Sequence, residues 1–170
     1  MIEPTVFATS KLRTSHTIAI QDSIVGNLCF GCGADNPQGL QIKSRWDGDE
    51  SVCEYQPQPH QAAGPRHIVN GGIIATLIDC HCVCTAIDDA YRREGRVTGS
   101  VPKLWYATGK LNVNYLRPTP IDKPVRLVAK VLEFTDKKTV IDCTLSSDGE
   151  PCATAEVVAV RVPAEWTHSQ

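Results

Sequence analysis

From Ile73 to Ile87 apolar residues fall on nearly every face of a helix, and after Trp105 the rhythm changes to alternation with a period of two. Asn70, an N-cap residue type, precedes the helical run, followed by Gly71 and Gly72. Arg92 and Arg93 stand where a last turn would be, and Gly95 stands where a C-terminal cap belongs. A helix apolar all round is expected to be buried in the middle of a protein. The run reads as too short and too polar to span a bilayer.

The strands frame that helix. Leu40 to Trp46 predicts a strand, Asp47-Gly48 a hairpin turn and Ser51 to Gln56 its partner. After a polar loop, Trp105 to Leu116 alternates strictly, with Ala107, Gly109, Leu111, Val113 and Tyr115 on one face and Tyr106, Thr108, Lys110, Asn112 and Asn114 on the other. Arg117-Pro118-Thr119-Pro120 ends it, because proline cannot continue a ladder. Val125 to Phe134, Thr139 to Leu145 and Cys152 to Val162 follow as strands, with turns at Asp136-Lys137-Lys138 and Asp148-Gly149. Hairpin-linked strands imply an antiparallel sheet. The expected class is therefore α+β, a curved antiparallel sheet of about six strands wrapped around one long central helix. Residues 1–28 are weakly patterned and read as an arm, with Ile18 to Val25 a short helix or extended. Residues 29–163 form the domain, and residues 164–170 a frayed tail.

Composition narrows the function. A chain of 170 residues is one ordinary domain, and a formal net charge of -2 argues against a nucleic-acid binder. The N-terminus lacks an uninterrupted apolar h-region, and no other span suits a membrane. Eight cysteines without an export signal read as reduced thiols of a cytoplasmic protein. Cys80, Cys82 and Cys84 alternate along the helix, so the three cannot share one tetrahedral site and read as small core residues. Cys29 and Cys32 form a CxxC pair in the turn-rich segment CFGCGADNPQGL, which is half of a zinc ribbon without its second pair. The expectation is a glycine-rich loop with two free thiols and no assigned metal; zinc would need Cys53 or a histidine to complete the site.

Asp79 is the residue out of place. It lies between Ile78 and Cys80 with no Lys or Arg within a helical turn. A carboxylate in an apolar helix is costly unless hydrogen-bonded, and its pKa tends upward. Such groups gather at active sites. The alternative is an Asp on a solvent-facing stripe with Thr76.

Three segments together carry a family resemblance from about Cys29 to Pro163: CFGCGADNPQGLQI, IVNGGIIATLIDCH and ATGKLNVNYLRPTP. The chain resembles the hotdog-fold acyl-CoA thioesterases of the phenylacetic-acid-pathway, PaaI-like branch. The resemblance implies that Asp79 is the catalytic carboxylate and that Gly71 and Gly72 supply backbone N–H groups to the thioester carbonyl. It implies that Thr108 helps to place the attacking water. Asn70 stands where the family usually has His, and Asn can also donate and accept.

Elementary chemistry supports those roles. The carbonyl oxygen of a thioester under attack gains negative charge, and a helix N-terminus offers unpaired amides there. Asp79 lies two to three turns down the same helix, too far to serve the same amides. Each site is therefore expected to be shared between two subunits, as the family implies, in a homodimer and potentially a dimer of dimers. Coenzyme A arrives as part of the substrate, so no separate cofactor is expected. Its phosphates make Lys110, Arg117, Lys137 and Lys138 candidates for the mouth of the site, together with His67 on the loop before the helix; solvated charges are the plainer reading of each. Two other functions stay open: a non-catalytic acyl-CoA or lipid-binding hotdog protein, motivated by Asn70, and a dehydratase using His67 or His81.

Overall fold

The computed structural model describes residues 18–167. A six-stranded antiparallel sheet lies against one long helix, the arrangement of a hotdog fold. The strands are β1 (Ser44–Asp47), β2 (Glu50–Tyr55), β3 (Tyr106–Tyr115), β4 (Val125–Phe134), β5 (Lys138–Ser147) and β6 (Glu150–Arg161), and the helix is α1 (Gly71–Arg93). Across the sheet the order is β1-β2-β4-β5-β6-β3. The strand that follows the helix thus crosses to the far edge, and β3 has a neighbour on one side only.

Local chemistry explains the joints. Asp148 and Gly149 both take positive φ, as a two-residue hairpin between right-twisted strands requires. Asn70 caps α1 by accepting a hydrogen bond from the Gly72 amide at 2.7 Å. β1 begins at Ser44 rather than Leu40, because the amides of Leu40 and Ile42 bond to the carbonyls of Phe30 and Gly31 instead of to a strand. The Ile18 to Val25 segment forms a 3-10 turn, Ile20–Ser23, whose Ile20 and Ile24 join the core. Another 3-10 turn occupies Ala164–Thr167. The part of the expected arm before residue 18 lies outside the described residues.

Two expectations need correction. First, α1 runs for 23 residues, and an 18-residue window reaches a mean hydropathy of 1.4, so length and composition alone would let it cross a membrane. It is instead the core helix of this domain: Leu77, Ile78, Cys82, Cys84, Ala86 and Ile87 are buried against the sheet with Leu127, Ile141, Leu145 and Val157. Each such large aliphatic side chain contributes about 1.5–3 kcal/mol on leaving water. Second, β3 does not alternate throughout. Thr108 pairs with Ala159 and Lys110 with Val158, so Gly109 is an extra residue, a β-bulge. A Cβ at Gly109 would lie 2.5 Å from Val160 Cγ2, which leaves room only for glycine. The bulge shifts the phase by one residue. Tyr106 and Thr108 before it, and Val113 and Tyr115 after it, consequently share the helix-facing side.

Candidate active site

β3 runs antiparallel to α1 and touches it at two functional points. The Thr108 hydroxyl donates to Asp79 Oδ1 at 2.6 Å. Seven residues along the strand, the Tyr115 hydroxyl donates to the Gly71 carbonyl at 2.8 Å, with its ring 3.6 Å from where a Gly71 Cβ would stand. Asp79 is half-buried while Thr108 is exposed, so the acid sits at the margin of the core beneath the free edge of the sheet. Burial pushes the Asp79 carboxyl above the usual carboxylate range; the Thr108 hydrogen bond opposes this, and the nearby Cys32 adds to it. A half-dry carboxylate held in one orientation by a hydroxyl can accept a proton from water or attack a carbonyl carbon.

The glycine tip of α1 is organised differently from the sequence expectation. The Gly72 amide is engaged by its own cap, Asn70 Oδ1. The Gly71 amide has no acceptor among the described residues. Asn70 also lines a cavity of about 700 Å³ beside the tip, walled by Phe30, Leu40, Tyr55, Ala62 and Ile73. The cleft is of mixed character, its apolar wall faced by Gln38, Gln58, His60 and Gln61.

The cationic candidates lie elsewhere. Lys110 is on the outer face of the sheet, 3.0 Å from Glu156. Arg117 pairs with Glu150, and Lys138 lies 3.5 Å from Glu133. Lys137 is exposed in the β4–β5 turn, and His67 is exposed on the loop before α1. Among the described residues, Asp79 is hydrogen-bonded to Thr108 and to none of these. His81 is a core residue: Ser44 Oγ lies 2.8 Å from Nδ1, and the Ser51 carbonyl lies 3.1 Å from Nε2. Burial holds its pKa down, to about 4. Being wholly enclosed, it cannot serve the dehydratase chemistry considered for it.

All eight cysteines are free thiols. Cys82, Cys84, Cys143 and Cys152 are buried, as small core residues should be. Cys80, however, meets the CxxC pair: the sulfurs of Cys29, Cys32 and Cys80 all lie within 4.8 Å of one another. The sulfur that joins the CxxC is thus on the helix, whereas Cys53 lies apart in β2.

Comparison with known proteins decides the family. The model described as Thioesterase superfamily matches residues 67–154, which include α1, Asp79 and all of β3. The chain belongs to the thioesterase superfamily. It is 33% identical to a thioesterase superfamily protein from Shewanella loihica, whose crystal structure superposes with a TM-score of 0.59 over 72% of this chain and 91% of that one. Two more distant structures share the fold. One is a hypothetical thioesterase from Streptococcus pneumoniae solved with coenzyme A (15% identity, TM-score 0.58, 71% and 85% coverage). The other is the E. coli PaaI protein of the phenylacetic acid degradation operon (15%, 0.59, 73% and 81%). Acyl-coenzyme A thioesterase THEM4 of Xenopus laevis is 28% identical over 109 residues, which are 64% of this chain. The chain matches only 43% of the length of that curated relative.

Within this thioesterase-superfamily domain, sequence reasoning missed Tyr115, the cavity and the third sulfur. Tyr115 was hidden by the bulge. The cavity is built by a loop with no periodic signal. The four-residue spacing of Cys80 and Cys84, which puts both on one helix face, was the available sign of the third.

Proposed function

We propose that the chain hydrolyses an acyl-CoA thioester to the free acid and coenzyme A, with Asp79 as general base or nucleophile. The observation that carries this reading is the Thr108–Asp79 hydrogen bond at the free edge of the sheet, which fixes an acid whose charge is poorly solvated. Asp79 takes a proton from water, or attacks the thioester carbon itself, while Thr108 orients it. The carbonyl oxygen gains charge and turns to the Gly71 amide, where the positive end of the α1 dipole adds to the attraction. With Asp79 as base, the water's oxygen adds to the carbon, and collapse of the adduct breaks the C–S bond as the departing thiolate takes the proton that Asp79 holds. With Asp79 as nucleophile, the thiolate leaves from a mixed anhydride, which a water then cleaves to the free acid and the restored carboxylate.

Gly71 and Asp79 are eight residues apart, about 12 Å along the helix axis. One thioester cannot lie against both in a single chain. The bare edge of β3, with Leu111, Tyr115 and Leu116 exposed, supports a second copy pairing there. A two-fold axis through that edge sets the two helices antiparallel, so that the tip of one lies beside the middle of the other. Each site then takes its amide from one subunit and its acid from the other, and the acyl group occupies the cavity beside Asn70.

The test is turnover of a panel of acyl-CoAs by the wild type and by Asp79→Asn. A fall in kcat of about 10²- to 10⁴-fold is expected for loss of the acid–base group. Equal rates would remove Asp79 from the mechanism. The engagement of the Gly72 amide by Asn70 favours a second reading, a non-catalytic acyl-CoA-binding domain. Stoichiometric binding of a non-hydrolysable acyl-CoA analogue, with no turnover of any ester in the panel, would establish it.

A further inference from the structure

We propose that Cys29, Cys32 and Cys80 bind a zinc-class divalent ion, with Cys84 at the fourth position, in a structural site that pins the N-terminal loop to α1. This goes beyond the thioesterase reading and does not rest on it. The Cys29 and Cys80 sulfurs are 3.7 Å apart. Two ligands on a tetrahedral zinc ion, each about 2.3 Å from the metal, stand about 3.8 Å apart. Cys32 completes a triangle in which every sulfur lies within 4.8 Å of the others. Cys84, one turn beyond Cys80 on the same face, adjoins the Cys32 sulfur and is fully enclosed. The CxxC of the loop and Cys80 of the helix thus supply three close sulfurs, and Cys84, which lies outside that close set but beside the Cys32 sulfur, is the candidate for the fourth.

The loop is built to present its sulfurs inward. A Cβ at Gly31, the second of the two residues between the loop ligands, would stand 2.3 Å from the Cys80 sulfur, so glycine there lets the loop close on the helix. A Cβ at Gly33 would meet the Cys29 backbone at 2.6 Å, and the Gly33 amide bonds to the Cys29 carbonyl at 2.9 Å. Asn27, buried beneath, braces both ligands. Its Oδ1 accepts from the Cys29 amide at 3.0 Å, and its Nδ2 donates to the Cys32 sulfur at 3.5 Å. Outer partners of this kind orient metal ligands and stabilise their thiolate form. Sulfur ligands in a closed tetrahedral set select zinc over hard cations such as magnesium or calcium. Binding displaces the thiol protons to solvent, four per ion when all four cysteines ligate.

The location gives the ion a role. The same loop carries Phe30, Gly39 and Leu40 into the wall of the 700 Å³ cavity, and Cys80 is the neighbour of Asp79 in α1. An ion there fixes the cavity wall to the helix that bears the acid.

The experiment measures metal in the full chain purified under reducing conditions, then removes it and reconstitutes with Co²⁺. About one zinc per chain and intense thiolate-to-cobalt charge-transfer bands with tetrahedral ligand-field absorption are expected. Cys29→Ser, at an exposed position where folding is preserved, is expected to weaken zinc at least about tenfold to a hundredfold in competition with a chromophoric chelator. Cys80→Ser should do the same where circular dichroism shows it folded. Cys82→Ala, on another face of the helix, should keep its metal. Less than about a tenth of an equivalent of metal with no charge-transfer band would overturn the proposal. So would unchanged affinity in Cys29→Ser, or a Cys29–Cys80 disulfide in the protein as isolated.

Discussion

Asp79 and His81 stand two residues apart on one helix and face opposite ends of the sheet. Asp79 turns to the free edge, where a single hydroxyl from β3 holds it and solvent is near. His81 turns to β1 and β2, where Ser44 and the Ser51 carbonyl occupy both ring nitrogens. Gln21 closes that network, donating to Ser44 Oγ at 2.8 Å and accepting from the Ser44 amide at 2.7 Å. Burial acts on both groups and disfavours charge in both, raising the acid's pKa and lowering the base's. The difference lies in what remains to be satisfied. His81 has no capacity left and serves the fold. Asp79 keeps an oxygen for a ligand and is stabilised only in part.

That contrast can be broken by exchange of function for stability. Asp79→Asn should have the largest effect, the 10²- to 10⁴-fold loss in kcat given above, while melting at neutral pH stays at or slightly above the wild-type temperature, because a poorly solvated charge is gone. His81→Ala should do the reverse. It takes one partner each from Ser44 Oγ and the Ser51 carbonyl and opens a void in a dry site, and is expected to destabilise by about 3 kcal/mol, read by denaturant titration. A catalytic defect in the folded fraction of His81→Ala would dissolve the distinction.

Acid sharpens the comparison. The folded-state pKa of His81, about 4, lies below its ordinary value of 6.5, so the unfolded chain takes up the proton first. The stability owed to neutral His81 is fully present above pH 6.5 and is lost as pH falls toward 4, by about 3 kcal/mol in all. The shift at Asp79 has the opposite sign: its folded form holds the proton more tightly, so its contribution grows as pH falls. Melting curves between pH 4 and pH 7 should therefore fall less steeply in His81→Leu than in the wild type, and more steeply in Asp79→Asn. Thr108→Val should have the smallest effect. It leaves the acid in place without its guide, for a loss in kcat of about tenfold, worth about 1.4 kcal/mol.

Features set by near neighbours in sequence were legible before the structure. The Asn70 cap, the arginines closing α1 and the Asp148-Gly149 turn each declare themselves within a few residues. Asp79 was legible because an acid among Leu77, Ile78 and Cys80 is conspicuous in any helix. What depended on distant partners was not. Alternation alone put Thr108 and Tyr115 on opposite faces, and only the pairing of β3 with β6 reveals the extra residue at Gly109. The CxxC awaited a second pair in sequence, and its third sulfur came from a helix 51 residues away.

The added residue at Gly109 works like a gear tooth. Remove it, and everything downstream in the strand would turn through half a rotation, carrying Leu111, Val113 and Tyr115 to the outside and Lys110, Asn112 and Asn114 onto the greasy side of α1. Lys110 would leave Glu156 for hydrocarbon, and the glycine tip would lose its aromatic cover. One residue without a side chain decides which half of an edge strand meets the helix and which meets water.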